Sequence, residues 1–176
     1  MRAEHIFRLL AALAAAGMAP VASAQTASPP VRTDAREQIP PALIGAWKLS
    51  LAESRFPEGR APKMQYRIFD YTADGMLLVD YLTASASGTL TSGNWTSAFD
   101  GSWRAEYMRP YGSTPYAMVQ LIKRDEFTLD LKAAKKGVVF ETGQFVIAPD
   151  GKTLTFSFVA GGATTVAVYH PWNLTD

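Results

Sequence analysis

Carboxyl groups set among apolar neighbours are the residues of this chain best suited to chemistry. Asp80 alternates with Met76, Leu78 and Leu82, and Glu141 alternates with Val139, Gly143 and Phe145. A strand places each acid on an apolar face, where loss of water raises the carboxyl pKa and makes it a general acid or base. Paired with a tyrosine hydroxyl, such an acid suits a cofactor-free isomerase, cyclase or hydrolase. For Asp80 the opposite face, Leu77, Val79 and Tyr81, is equally apolar, so its direction stays open. Asp70 alternates with Met64, Tyr66 and Ile68; for it and for Glu141, a structural ion pair with Arg67, Lys123 or Arg124 is the competing reading.

Other reaction classes lack their residues. The chain has no cysteine, and beyond His5 near the start its only histidine is His170. Cysteine nucleophiles and Cys/His metal centres are therefore excluded, and neither metal nor cofactor is expected. A Ser-His-Asp triad would depend on His170 beside Pro171, and no G-x-S-x-G elbow accompanies it. Gly88 and Gly161-Gly162 lack the spacing of phosphate-binding loops and read as turns.

Aromatic side chains offer a second kind of site, one of contact. The sequence holds 4 Trp, 7 Tyr and 9 Phe, with a cluster from Trp95 to Tyr116. Trp95, Trp103 and Tyr111, read as loop residues, together with Tyr81, are the candidates for touching an apolar ligand or a protein partner. Phe127, Phe156 and Phe158 read as core. Trp47, between Ile44 and Leu49, reads as the plug of one end of a closed sheet.

Short strands must carry these groups. Residues 127–132 and 153–158 alternate cleanly, with Phe127, Leu129, Leu131 and Leu154, Phe156, Phe158 on the dry faces. Further strands are expected over 44–50, 64–71, 76–84, 102–108, 116–123, 138–147 and 164–170, nine in all, with glycine turns between many of them. Helix-forming stretches long enough for parallel crossovers are missing, so the expected fold is all-β, an antiparallel meander closing into a small barrel that hides its edges.

The N-terminus reads as an export signal. Arg2 and Arg8 precede the apolar run 9–16, and Ala22-Ser23-Ala24 matches a cleavage site before Gln25. Residues 25–41, QTASPPVRTDAREQIPP, read as a flexible tether, and 42–176 as the folded domain. Cleavage after Ala24 removes Arg2, Arg8 and Glu4 and leaves equal numbers of acidic and basic residues. A neutral chain argues against nucleic acid as partner. The apolar run falls short of the roughly 20 residues a membrane helix needs and no later segment supplies them, so the mature chain is not expected to span a bilayer. A periplasmic or secreted location follows.

The stretch Gly45-Ala46-Trp47-Lys48-Leu49, continuing through Ala52, Ser54 and Phe56 to Pro57 and Ala61-Pro62-Lys63, resembles the opening of a family of small exported bacterial lipocalin-like proteins. Asp150-Gly151-Lys152-Thr153-Leu154-Thr155 and Val166-Ala167-Val168-Tyr169 are similar to that family's last hairpin. The resemblance implies a small β-barrel with Gly45 and Trp47 at its closed end and an interior that can take an apolar ligand. Lipocalins carry an arginine near the end of the last strand, and TTVAVYHPW has none.

The leading expectation is thus an exported barrel that binds a small apolar or amphipathic molecule. A structural or protein-interaction module of the cell envelope and a cofactor-free barrel enzyme working through Asp80 or Glu141 are the alternatives.

Overall fold

The computed structural model describes residues 35–173. The expected signal peptide and residues 25–34 of the expected tether lie outside them. The fold is the expected all-β architecture. Ten strands run as an antiparallel meander that closes on itself, each paired with its sequence neighbours and the last with the first. They are β1 (Gly45–Arg55), β2 (Met64–Tyr71), β3 (Leu77–Ala84), β4 (Leu90–Ser97), β5 (Arg104–Arg109), β6 (Ala117–Lys123), β7 (Thr128–Lys135), β8 (Val138–Ile147), β9 (Leu154–Ala160) and β10 (Ala163–Pro171).

Ten strands, not nine, make the wall. The strand that patterning overlooked is β4, because Leu90–Ser97 turns only Gly93, Trp95 and Ser97 into buried positions, a face too mixed to read as alternation. Trp95 is correspondingly not a loop residue. It is 3% exposed and belongs to the core.

The packed core also begins earlier than residue 42. A short helix, α1 (Ala35–Gln38), and one 3-10 turn, Pro41–Leu43, precede β1, and both Ile39 and Leu43 are buried in the central cluster. Apolar burial of two side chains fixes a segment whose prolines and polar residues suggested a tether. Trp47 is buried, and its indole Nε1 donates to the Leu43 carbonyl at 2.8 Å, which ties the entry turn to the barrel end.

The interior is divided by chemistry. Trp47, Phe69, Leu77, Val79, Leu129, Phe145, Ile147, Leu154 and Tyr169 are almost fully buried and fill one half. Toward the other half, the inward positions become Arg67 on β2, Tyr81 on β3, Glu106 on β5 and Glu141 on β8.

Two departures from regular pairing shape the wall. Between β7 and β8 the register slips after Ala133, so that Ala133 faces Glu141 while Ala134 faces Val139. The extra residue, Phe140, borders the same interior cavity as Glu141, which consecutive residues of a regular strand cannot do. At the closing seam, β1 and β10 slip between Ser50 and Arg55. There the Ser54 hydroxyl donates to the Ser50 carbonyl at 2.6 Å and accepts from the Val168 amide at 2.9 Å, substituting for a missing backbone partner. The seam continues past β10, where the Trp172 amide donates to the Ala46 carbonyl at 2.8 Å.

Candidate functional site

Arg67 organises the interior. It pairs across the sheet with Tyr81, and glycine stands at the next position, Gly93 on β4. A Cβ at Gly93 would collide with the Tyr81 ring and hydroxyl, so this glycine is what lets Tyr81 lie flat across the wall. Gly143 plays the same part beneath Phe158.

The Arg67 guanidinium carbon lies 4.9 Å from the Phe156 ring centroid, 5.4 Å from Phe145, 5.7 Å from Tyr81 and 5.8 Å from Tyr169. Four rings thus surround one cation, an arrangement in which the ring quadrupoles attract the guanidinium. Its Nε donates to the Tyr169 hydroxyl at 3.2 Å. That hydroxyl in turn donates to Gln65 Oε1, whose Nε2 donates to Thr83 Oγ1 at 2.8 Å. Arg67 makes no ion pair with a described residue.

Two cavities meet at this side chain. The inner one, about 240 Å³, is bordered by Arg67, Tyr81, Glu106, Tyr116, Phe140 and Glu141. The outer one, about 270 Å³, lies toward the mouth, where Phe56, Arg60, Thr83 and Thr165 take over. Gln65, Arg67 and Phe158 border both.

Two acids face the inner cavity. Burial pushes the Glu106 carboxyl up, against the opposing pull of the Tyr81 hydrogen bond and of Arg67 and Lys135. Tyr81 donates to Glu106 Oε1 at 2.7 Å, and its own hydroxyl is driven well above the usual phenol range by burial and then by the Glu106 charge. Burial likewise raises Glu141, with Arg67 opposing and Glu106 reinforcing. Lys135 sits at the rim with Nζ 3.4 Å from the Tyr116 ring centroid.

The sequence-derived candidates separate. Glu141 and Tyr81 do face the interior. Asp80 does not, because its pairing with Ile68 and Asn94 sets it on the outer wall, in a groove of about 580 Å³ shared with Tyr66, Leu82, Tyr107 and Trp172. Burial there, and then Asp70, raise its carboxyl. An acid outside and one inside cannot serve a single reaction centre. Trp103 (38% exposed) precedes β5 and Tyr111 (57% exposed) follows it, so the two stand at opposite ends of the barrel and form no common cluster with Trp95. Tyr111 rests against Tyr116 at 5.0 Å between centroids.

Arg67, Glu106, Gln65 and Tyr169 are the site residues that local patterning overlooked. Arg67 entered only as an ion-pair partner, and Glu106 not at all. The available signal was alternation in β2, where Gln65, Arg67 and Phe69 share the face opposite the apolar Met64, Tyr66 and Ile68.

Among the described residues no group of three or more His, Cys, Asp or Glu is placed to hold a metal ion, and no helix is long and apolar enough to cross a membrane. No protein-family model and no curated protein sequence matches the chain. The fold is similar to that of a solved mutant of the fluorescent protein UnaG, with a TM-score of 0.50 and 16% identity, over 76% of this chain and 96% of that one. The likeness is one of fold, a lipocalin-like barrel.

Proposed function

We propose that the barrel binds a small amphipathic molecule with an anionic group, seated at Arg67 and extending through the two cavities. One observation carries this reading. Arg67 is a half-buried guanidinium that borders both cavities and makes no ion pair with a described residue. A charge taken out of water is expensive unless it is paired, and the surrounding rings compensate only in part. An anion that accepts from both Nη atoms supplies the rest, while Phe156, Phe158 and the mouth residue Phe56 offer apolar contact to its body.

In this reading the chain is an exported binding protein, released after Ala24 to the periplasm or the medium, and kin to the small bacterial lipocalin-like family. The opening G-x-W-K-L and the leader support that assignment. The outer groove favours a second reading, docking on a protein partner through exposed Ile68, Leu82 and Tyr107.

Native mass spectrometry of protein purified gently from its own host, followed by solvent extraction, tests the first reading. A stoichiometric adduct that yields an anionic amphiphile, and that is lost in a folded Arg67→Met variant, is the expected result. An adduct unaffected by that variant would move the site elsewhere. Sequencing the N-terminus of the same sample tests export, with Gln25 as the expected first residue.

A further inference from the structure

We propose that a proton enters the barrel together with the anion, and that Glu141 receives it. This rests on the reading of Arg67 as the anion site.

The inner cavity holds few charges, and each can be assigned to an element. Arg67 comes from β2, Tyr81 from β3, Glu106 from β5, Lys135 from the end of β7, Glu141 from β8 and Tyr169 from β10, with Tyr116 just before β6. The inward residues of the other strands carry no charge there: Trp95 on β4, Val119 on β6, and Phe156 and Phe158 on β9. Arg67 is thus the cation whose field favours ionised Glu141, while burial and Glu106 oppose it.

An anion bound at Arg67 cancels that field and adds a negative charge to the same small space. Both effects act in one direction, and a carboxylate deprived of its counter-charge in a poorly solvated cavity takes up a proton from solvent. Glu106 is the lesser acceptor because the Tyr81 hydroxyl already donates to it at 2.7 Å and supports its ionised form. Glu141 has no hydrogen-bond partner among the described residues and borders the cavity directly. The bulge that adds Phe140 keeps it there.

The coupling runs both ways, since binding that takes up a proton must strengthen as pH falls. Decane-1-sulfonate is a suitable probe because its head group stays ionised throughout, so any pH dependence belongs to the protein. Titration calorimetry of the full chain at pH 7 in phosphate and in Tris, two buffers with different ionisation enthalpies, reads the protons taken up.

We expect an uptake approaching one proton and a Kd that tightens by up to about tenfold per pH unit between pH 8 and pH 6, the limit for one linked proton. In Glu141→Gln, sulfonate should still bind, with heat independent of buffer and affinity independent of pH; Glu106→Gln should keep the coupling. Sulfonate that fails to bind wild-type protein at any pH overturns the anion reading itself. Binding that is lost in Arg67→Met yet independent of buffer in the wild type overturns the proton coupling alone. Uptake that survives in a folded Glu141→Gln overturns the assignment to Glu141.

Discussion

Tyr81 reaches over Gly93 to donate its hydroxyl to Glu106 at 2.7 Å, linking β3 to β5 across a strand that has no side chain at that point. The bond joins two groups that are both costly to bury alone, so each is the other's compensation.

Replacing Tyr81 with Phe therefore leaves the Glu106 carboxyl without its donor. We expect a loss of about 1–3 kcal/mol in urea unfolding, larger at pH 8 than at pH 5 because the ionised acid needs the donor more. Equal losses at both pH values would show that the bond serves the neutral acid.

Gly93→Ala tests the geometry from the opposite strand. The added methyl meets the Tyr81 ring and the Tyr107 carbonyl, and backbone cannot yield as a side-chain tip can. We expect destabilisation of about 1–3 kcal/mol, the usual cost of overpacking, measured in the same way. Gly93→Ala combined with Tyr81→Phe should not recover the loss, since most of the ring remains.

Glu141 offers a pH test with a definite sign. Its folded pKa is raised, so the folded state prefers the protonated acid and loses stability as pH climbs from the unfolded value through the folded one. Glu141→Gln should consequently raise the urea midpoint at pH 8 and leave it nearly unchanged at pH 4. A midpoint lowered at pH 8 would mean that the carboxylate forms a stabilising contact with Arg67.

On the outer wall, His170 and Glu53 form a pair in which the charged forms are favoured. His170 Nδ1 faces the Lys152 carbonyl at 3.0 Å and Nε2 faces the Glu53 carboxylate; both partners accept, so the ring satisfies both only as imidazolium. The backbone carbonyl first, and then Glu53, raise its pKa, while His170 lowers that of Glu53. The stabilisation is therefore present below the ordinary histidine pKa, is lost as pH rises through the elevated one, and is lost again as pH falls through that of Glu53. Melting His170→Gln beside the wild type should show a small difference near pH 6 that disappears by pH 9.

Much of the barrel was legible because burial imposes alternation one strand at a time. Leu129 and Leu131, or Leu154, Phe156 and Phe158, announce an inward face without reference to the rest of the chain, whereas Phe127, expected beside them, precedes β7 and stays outside the core cluster. Where both faces are apolar, as around Asp80, the pattern has no direction, and only pairing with Ile68 and Asn94 decides it. Where the inward face is mixed, as with Gly93, Trp95 and Ser97, the pattern vanishes and the strand with it.

The interior site was less legible for a different reason. Tyr169 and Gln65 touch across 104 positions, and Tyr81 and Glu106 across 25. Their proximity is a property of strand order and shear, not of any local stretch. Glu141 was visible as an acid among apolar residues, but that Arg67 stands beside it depends on closure of the whole wall.

The seam that completes this wall joins the beginning of the domain to its end, with Trp47 paired to Pro171 and the Trp172 amide bonded to Ala46. A chain made or threaded from its N-terminus therefore presents β1 more than a hundred residues before the strand that will cover its free edge. Until residue 172 emerges, the nascent sheet is an open ribbon with β1 unpaired on one side. Closure waits for β10, and a chain cut short before it keeps the very edge that barrels exist to remove.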